Sequence, residues 1–167
     1  MNPVKEDMPE IQLTKAEKED IKEIVKIWVE TIDWHAKFDE DFTLDKDGKT
    51  NFSFMVSKAL YEPTQVVFVA KSGNKVIGFL YGFTKKHSGF FKKRVIAHIS
   101  DIAVDDDFRR LGIGSKLMEK FEKDFARENQ ADELTLYVHL LNESGVKFYE
   151  KLGYSVKLLS MRKKLEY

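Results

Sequence analysis

The segment Asp101-Ile102-Ala103-Val104-Asp105-Asp106-Asp107-Phe108-Arg109-Arg110-Leu111-Gly112-Ile113-Gly114-Ser115 decides the fold of this chain. An apolar strand ends at Val104, a short acidic turn follows, and a glycine-containing stretch opens the clearest helix in the sequence. The first turn of a helix leaves backbone N–H groups unpaired and carries partial positive charge. Glycines let a ligand approach those donors closely. With Arg109 and Arg110 beside them, these features predict a binding site for phosphate or pyrophosphate.

Two common phosphate-binding motifs do not fit this segment. A Walker A loop requires Lys after its second glycine, but Gly112 and Gly114 lie two apart and Ser115 follows them. A dinucleotide fingerprint requires a third glycine at the position that Leu117 occupies. The spacing that is present is Arg-x-x-Gly-x-Gly, which begins at Arg109.

The elements around this segment follow from apolar periodicity, which alternates in strands and recurs every three to four residues in helices. The order predicts an α/β (α+β) fold with a mixed, mostly antiparallel central sheet and helices on both faces, in a single domain over residues 11–167. The predicted elements are strand 11–13, helix 16–31 with Thr14 as N-cap, helix 52–60, strands 66–70, 76–83 and 94–104, helix 111–128, strand 134–140, helix 144–152 closed by Gly153 in the left-handed region, and end strands 154–159 and 161–165.

Composition excludes several classes of protein. The chain has 167 residues with 43% hydrophobic content, which fits one folded domain, and its apolar runs are too short to span a membrane. It has 28 basic and 28 acidic residues, which argues against wholesale binding of polyanions. It has no cysteine, which excludes disulfides, thiolate zinc sites and a cysteine nucleophile. Residues 1–10 are polar, lack the apolar core of a secretory signal and are expected to be a flexible leader, so we expect a cytoplasmic protein.

The Arg-x-x-Gly-x-Gly spacing resembles the acyl-CoA pyrophosphate loop of the GNAT superfamily of N-acetyltransferases. Ile99–Val104 resembles the central strand of that family, and the stretch from Asn142 to Tyr154 resembles its second motif. The resemblance extends over about residues 11 to 165. It implies a GNAT-like acyl-CoA-binding fold in which the strands ending at Val104 and Leu140 splay apart, with the pantetheine arm of CoA in the gap.

The resemblance further implies that acetyl-CoA is the cosubstrate and assigns residues to it. The backbone of Ile102, Ala103 and Val104 would pair with the pantetheine amides, as an added strand would. Asn142 would hydrogen-bond the cofactor, and Tyr149 would reach the thioester sulfur. The pyrophosphate would be held by the loop residues Arg109, Arg110, Leu111, Gly112, Ile113, Gly114 and Ser115.

The chemistry of amine acetylation requires a base and an acid. A lysine-like amine has a pKa of ~10.4 and arrives protonated, so a base must take its proton. Asp101 is the candidate base, although a structural carboxylate fits the same position. Tyr149, with a phenol pKa of ~10, is the candidate acid for the departing thiolate, and its alternative is an apolar helix residue facing the sheet. A backbone N–H near Val104 would polarise the carbonyl.

The acceptor site is less defined than the cosubstrate site. Trp34, His35 and Phe38, with Phe42 behind them, fall where the resemblance places the acceptor loop, and Tyr81 is a further candidate. These side chains fit either a substrate pocket or a local hydrophobic cluster. His98 and His139 lie in predicted strands and are interpreted as half-buried structural residues. No His and carboxylate pair has metal-ligand spacing, so we expect no metal.

Together these features predict direct transfer of acetyl from acetyl-CoA to a primary amine of a small molecule or protein. Because the chain lacks cysteine, the transfer is expected in a ternary complex without a covalent enzyme intermediate. Two alternatives remain: a non-catalytic acyl-CoA sensor, and an interaction protein that uses the basic hairpin 84–94. Nucleic acid is a disfavoured partner, no membrane contact is expected, and a homodimer is compatible with the resemblance.

Overall fold

The computed structural model describes residues 10–87, 89–90 and 92–165. The predicted leader 1–10 lies outside the described residues except for Glu10. The chain divides into two compact units, one ending at Tyr137 and the other beginning at Val138. No helix of the described residues is long and apolar enough to cross a membrane.

The first unit contains a five-stranded sheet whose spatial order follows the chain. The first four strands pair antiparallel, and the fifth lies parallel to the fourth, which confirms the mixed, mostly antiparallel sheet. The strands are β1 (Ile11–Lys15), β2 (Gln65–Ser72), β3 (Lys75–His87), β4 (Arg94–Val104) and β5 (Glu133–Leu136), and the helices of this unit are α1 (Ile21–His35), α2 (Gly48–Ala59) and α3 (Ile113–Phe121).

Helices cover both faces of the sheet, as predicted. Apolar side chains of α1 and α2, such as Ile24 and Phe52, share one buried cluster with Val69 of β2. Helix α3 covers the opposite face, where Lys120 lies over the Phe68 ring at 5.2 Å. Close contact requires a glycine at position 82, because a Cβ there would lie 2.5 Å from the Phe121 ring. Consecutive residues of β2 and β3 are buried because both faces of the sheet are covered. A shift of one residue in the pairing would move each side chain to the opposite face, so this burial fixes the register.

Strand β4 extends beyond its parallel neighbour. It pairs with β5 only from Ile96 to Ile99, so residues 100–104 have β3 on one side and no β5 on the other. The register also shifts at this point, because Tyr81 lies opposite Asp101 whereas Gly82 lies opposite Ile99. Pairing between the two central strands therefore ends at Ile99 and Leu136, next to a β-bulge at Ser100.

Several predicted boundaries are wrong. Thr14 does not cap a helix but lies in β1 opposite Val69, because pairing with β2 continues to Lys15. The helical turn before α1 instead begins at Glu17, where a capping box forms: the Asp20 carboxylate accepts the Glu17 N–H at 2.9 Å. The helix predicted to reach residue 128 leaves α-helical geometry after Phe121, in a π-helical turn at Glu122–Ala126 that buries Phe125. The strand predicted over 134–140 ends at Leu136.

The second unit contains helix α4 (Glu143–Lys151), close to its predicted position. Asn142 caps its start by accepting the Gly145 N–H at 2.9 Å. At its end Gly153 has φ 87°, in the left-handed region as predicted. The Tyr154 N–H donates to the Tyr149 carbonyl and the Gly153 N–H to the Glu150 carbonyl, which is the Schellman arrangement.

The predicted end strands 154–159 and 161–165 are wrong. Neither segment is a strand in the structure, and their large apolar side chains are exposed, as for Val156 and Met161. Apolar content alone predicted strands here, but a strand also needs a backbone partner, which local sequence does not supply.

Candidate functional site

The turn after β4 is built by Asp105. Its carboxylate accepts the Asp107 N–H at 3.1 Å, and its carbonyl accepts the Phe108 N–H at 2.9 Å. Lys75 from the start of β3 closes the turn, since its Nζ lies 2.9 Å from Asp105 Oδ2 and 5.0 Å from the centre of the Phe108 ring. The sequence prediction assigned no role to Asp105 or Lys75. An Asp before a short turn is a local signal that identifies Asp105, whereas Lys75 lies 30 residues away along the chain.

The pKa of Asp105 lies below its ordinary value. Burial alone would raise the pKa, but hydrogen bonds from Lys75 and from the Asp107 N–H, with the Lys75 charge, outweigh it. Asp105 is therefore a fixed negative charge that organises the approach to the glycine segment.

The glycine segment enters the left-handed region of backbone conformation twice before α3. Arg110 has φ 68° and Gly112 has φ 75°, both in the left-handed region that alternates with right-handed residues in anion-binding concavities. Gly112 is the N-cap of α3, and backbone hydrogen bonding resumes when the Lys116 N–H donates to the Gly112 carbonyl at 3.1 Å. The N–H groups of the first turn of α3 are thus available to a ligand. A Cβ on Gly112 would meet nothing within 4 Å, so open space lies beside these donors.

Arg109 lies between this segment and the end of β4. Its Nη2 contacts Asp106 Oδ1 at 2.6 Å, and its Nε donates weakly to the Val104 carbonyl at 3.4 Å. The guanidinium is therefore paired with a neighbouring carboxylate. Its arginine neighbour Arg110 is exposed.

The edge of β4 supplies a second feature of the site. Ile102, Ala103 and Val104 pair with Leu80, Phe79 and Gly78 of β3, and their other side lies beyond the last pair with β5. An extended ligand with amide groups can pair with such an edge as an additional strand would. A Cβ at Gly78 would lie 3.1 Å from the Ala103 carbonyl, so glycine permits the close β3–β4 pairing that supports this edge.

Asp101 lies one residue beyond the bulge, with both carboxylate oxygens hydrogen-bonded. Trp28 Nε1 of α1 donates to Oδ1 at 3.0 Å, and Ser100 Oγ donates to Oδ2 at 2.7 Å. Burial raises the pKa of Asp101, and the hydrogen bonds from Ser100 and Trp28 oppose that rise. The net pKa is above its ordinary value, which moves the carboxylate toward the range of a general base. Trp28 falls within the helix predicted over 16–31, but the sequence does not indicate this contact, because the two residues are 73 apart in the chain.

The predicted acceptor residues occupy two different environments. Trp34, His35 and Phe38 form an aromatic group at the end of α1, with Trp34 centred 4.9 Å from His35 and 5.1 Å from Phe38. Phe42 joins it at 4.9 Å from His35. Tyr81 belongs instead to the buried core, where its hydroxyl donates to Gln65 Oε1 at 2.8 Å. Burial and the neighbouring charge of Asp101 raise the Tyr81 pKa, so this phenol stays neutral.

Of the two histidines predicted to lie in strands, His98 lies in β4, whereas His139 follows the end of β5. His98 is buried, with Nδ1 at 2.9 Å from Thr135 Oγ1, and burial together with the charge of Lys85 lowers its pKa. His139 of the second unit accepts the Leu141 N–H through Nδ1 at 3.1 Å. The residues that the structure describes contain no cluster of three or more His, Asp or Glu side chains arranged to hold a metal ion.

The second unit carries the other two predicted site residues. The side-chain oxygen Oδ1 of Asn142 accepts hydrogen bonds from the Gly145 N–H and from Ser144 Oγ at the start of α4. A cofactor contact would therefore come from the side-chain nitrogen Nδ2. Tyr149 is half-buried at the other end of α4, with its ring 5.9 Å from that of Tyr154.

Comparison with known proteins shows the family of this chain. Residues 22–154 match the model of the Acetyltransferase (GNAT) family. An uncharacterized N-acetyltransferase of Archaeoglobus fulgidus is 30% identical over 139 residues, which cover 83% of this chain and 89% of that protein. An N-alpha-acetyltransferase of Sulfurisphaera tokodaii is 33% identical over 108 residues, covering 60% of this chain and 63% of that protein. Other relatives are longer, and this chain spans 32% of their length or less.

Solved structures show the same fold. A mutant of the BH1408 protein from Bacillus halodurans superposes with a TM-score of 0.83 and 22% identity, covering 93% of this chain and 99% of that one. The free strand edge, the helix-start loop and these similarities define an acetyltransferase. More specifically, the chain belongs to the GNAT family, whose cosubstrate is acetyl-CoA.

Proposed function

We propose that this protein transfers an acetyl group from acetyl-CoA directly to a primary amine of a small molecule or protein. The observation that carries the proposal is the continuity of two binding features, since the free edge of β4 leads through the Asp105 turn into the open helix start at Gly112. An extended arm with amides and a pyrophosphate at its end has the chemistry that suits both features.

The residues of the first unit fit the cosubstrate. The edge residues Ile102–Val104 would bind the pantetheine amides, and the N–H groups around Gly112 would bind the pyrophosphate. Arg109 would add charge after exchanging Asp106 for a phosphate, a change that a charge-assisted bidentate contact favours.

In the proposed reaction the amine attacks the thioester carbonyl carbon, a C–N bond forms, and the C–S bond breaks. Asp101 takes the proton that the amine loses, directly or through water, which its raised pKa supports. Tyr149 gives a proton to the departing thiolate, so that CoA leaves as a thiol, and solvent returns a proton to Tyr149 while Asp101 releases its own. Because the chain has no cysteine, no acyl-cysteine forms on the enzyme.

A protein α-amine is one acceptor to place in the first test, because the Sulfurisphaera tokodaii relative is named an N-alpha-acetyltransferase. An α-amino group has a pKa of ~7.7–8.0 and therefore demands less of a base than a lysine amine at ~10.4. The comparison of both acceptor types measures how strongly the enzyme depends on Asp101.

The test is thiol release from acetyl-CoA with a panel of amines. The panel contains peptides with a free α-amine, the same peptides with the α-amine blocked and a lysine present, free amino acids and polyamines. We expect release above the hydrolysis background with at least one class. CoA binding by calorimetry without release from any amine would contradict the enzymatic proposal and favour an acyl-CoA sensor.

The Tyr149→Phe variant tests the acid. We expect kcat to fall by about 10²–10⁴-fold, the usual contribution of a positioned acid, while acetyl-CoA affinity stays the same. Tyr61→Phe, an exposed tyrosine next to α2, is the matched control. An unchanged rate in Tyr149→Phe would remove this residue from the reaction.

A further inference from the structure

We propose that Trp28 is a positioning residue for Asp101, because the indole N–H of Trp28 holds the Asp101 carboxylate in a fixed orientation. The inference deepens the proposed function and rests on it only for the statement that Asp101 acts as the base. The contact between the two side chains stands independently of the reaction.

The geometry assigns one donor to each carboxylate oxygen. Trp28 Nε1 lies 3.0 Å from Oδ1, and Ser100 Oγ lies 2.7 Å from Oδ2. Each carboxylate oxygen can accept a second hydrogen bond, so both remain able to receive a proton from an amine or a water. The two donors therefore hold the orientation of Asp101 without blocking it.

Trp28 is the more rigid of the two donors. Its ring stacks on Phe52 of α2, with centroids 4.0 Å apart and planes within 5° of parallel. Phe52 is itself 4% exposed and packs at 6.2 Å from the Phe79 ring of β3. Ser100 is exposed on the bulge, and its hydroxyl can rotate toward other acceptors. The packing of α1 and α2 thus determines where the indole N–H points.

The groups that face Asp101 explain why one donor has a large effect. Trp28 faces it from α1, Ser100 from β4, and Tyr81 lies opposite on β3 as a neutral phenol. Burial favours the protonated form, and the two neutral donors are what favour the charged form. Removal of one donor should therefore move the titration of Asp101 to higher pH.

The first measurement uses the unchanged protein. The Trp28 indole ¹H–¹⁵N signal should shift with pH, with the same midpoint as the ¹³C signal of the Asp101 carboxyl group. Trp34 carries the second indole of the chain and provides the internal reference. A Trp28 signal that does not follow the Asp101 titration would overturn the proposal, and no variant is needed to obtain this result.

The second measurement uses Trp28→Phe, which keeps an aromatic ring but removes the N–H donor. We expect the Asp101 carboxyl midpoint and the low-pH limb of kcat/KM to move together to higher pH. At a pH below both midpoints kcat/KM should fall by about tenfold, as expected for loss of one hydrogen bond to a charged group, and it should recover at higher pH.

Leu117→Ala is the control for lost stability, because Leu117 of α3 is fully buried on the opposite face of the sheet and its truncation leaves Trp28 and Phe52 in place. It should lower the thermal midpoint of unfolding without moving the Asp101 titration. If Trp28→Phe lowers stability in the same way and leaves the titration unmoved, Trp28 is a packing residue only and the proposal fails.

Failure of the proposed function gives a different result. Asp101→Asn with wild-type kcat/KM would show that Asp101 is not the base. The carboxyl titration of the free protein, measured without substrate, would still decide whether Trp28 controls this group.

Discussion

Two aspartates near the end of β4 have opposite electrostatic environments although they are only four positions apart. Asp101 is enclosed between α1 and β3, has only neutral donors, and has a raised pKa. Asp105 follows the strand end, pairs with the charged Lys75, and has a lowered pKa. The same side chain is thus suited to proton transfer in one place and to a permanent charge in the other. The difference shows that chemical role in this segment depends on what packs against each residue.

The largest expected effect is that of Asp101→Asn on catalysis. An amide of the same shape cannot take a proton from the amine, so kcat/KM should fall by about 10²–10⁴-fold, while acetyl-CoA affinity stays unchanged. Steady-state kinetics and calorimetric titration with acetyl-CoA measure the two quantities. Asp124→Asn, at an exposed carboxylate on the π-helical turn, should keep wild-type values. If Asp101→Asn also kept the wild-type kcat/KM, Asp101 would have only a structural role, as Asp105 does.

A smaller effect is expected beyond Asp105, at Gly112. Gly112→Val places a branched side chain beside the open N–H donors, so the KM for acetyl-CoA should rise by about 10–100-fold, as for loss of hydrogen bonds to a charged group. The φ of 75° also makes valine strained at this position. Gly73→Val is the matched control, because Gly73 has φ 58° and open surroundings in the β2–β3 turn. It should lose stability and keep its KM, and an equal KM change in both variants would contradict the assignment of the loop.

The smallest effect, in stability, should have opposite signs for the two aspartates. The lowered pKa of Asp105 contributes stability that is present above its unfolded pKa of ~3.9 and is lost as pH falls through the folded pKa. Asp105→Asn should therefore be less stable than the unchanged protein at neutral pH, with the difference vanishing in acid.

For Asp101 the raised pKa means that the folded state loses stability as pH rises from the unfolded pKa of ~3.9 through the folded pKa. Asp101→Asn, which has no charge to bury, should be more stable than the unchanged protein at neutral pH and similar to it in acid. Urea unfolding at a series of pH values measures both differences. If the stability difference from the unchanged protein followed the same pH dependence in both variants, the two aspartates would not have opposite electrostatic environments.

Sequence reasoning was most successful where the cause is local. Strand β4 matches its predicted bounds, and Gly153 takes the left-handed conformation expected at a helix end. It was wrong where pairing decides the outcome. Thr14 lies in β1 because pairing with β2 continues to Lys15, and the segments after Tyr154 do not form strands. Composition records how apolar a segment is, but not whether a partner strand lies beside it.

The site divides in the same way. By itself, the sequence determined the strand, turn and glycine helix start from Val104 to Gly114, because turn chemistry, left-handed glycine and unpaired N–H groups depend on neighbours along the chain. Only the tertiary structure decided that Trp28 donates to Asp101 and that Lys75 pairs with Asp105, across 73 and 30 residues of chain. A pKa is set by burial and by charges and donors within a few ångströms, and folding alone brings those together.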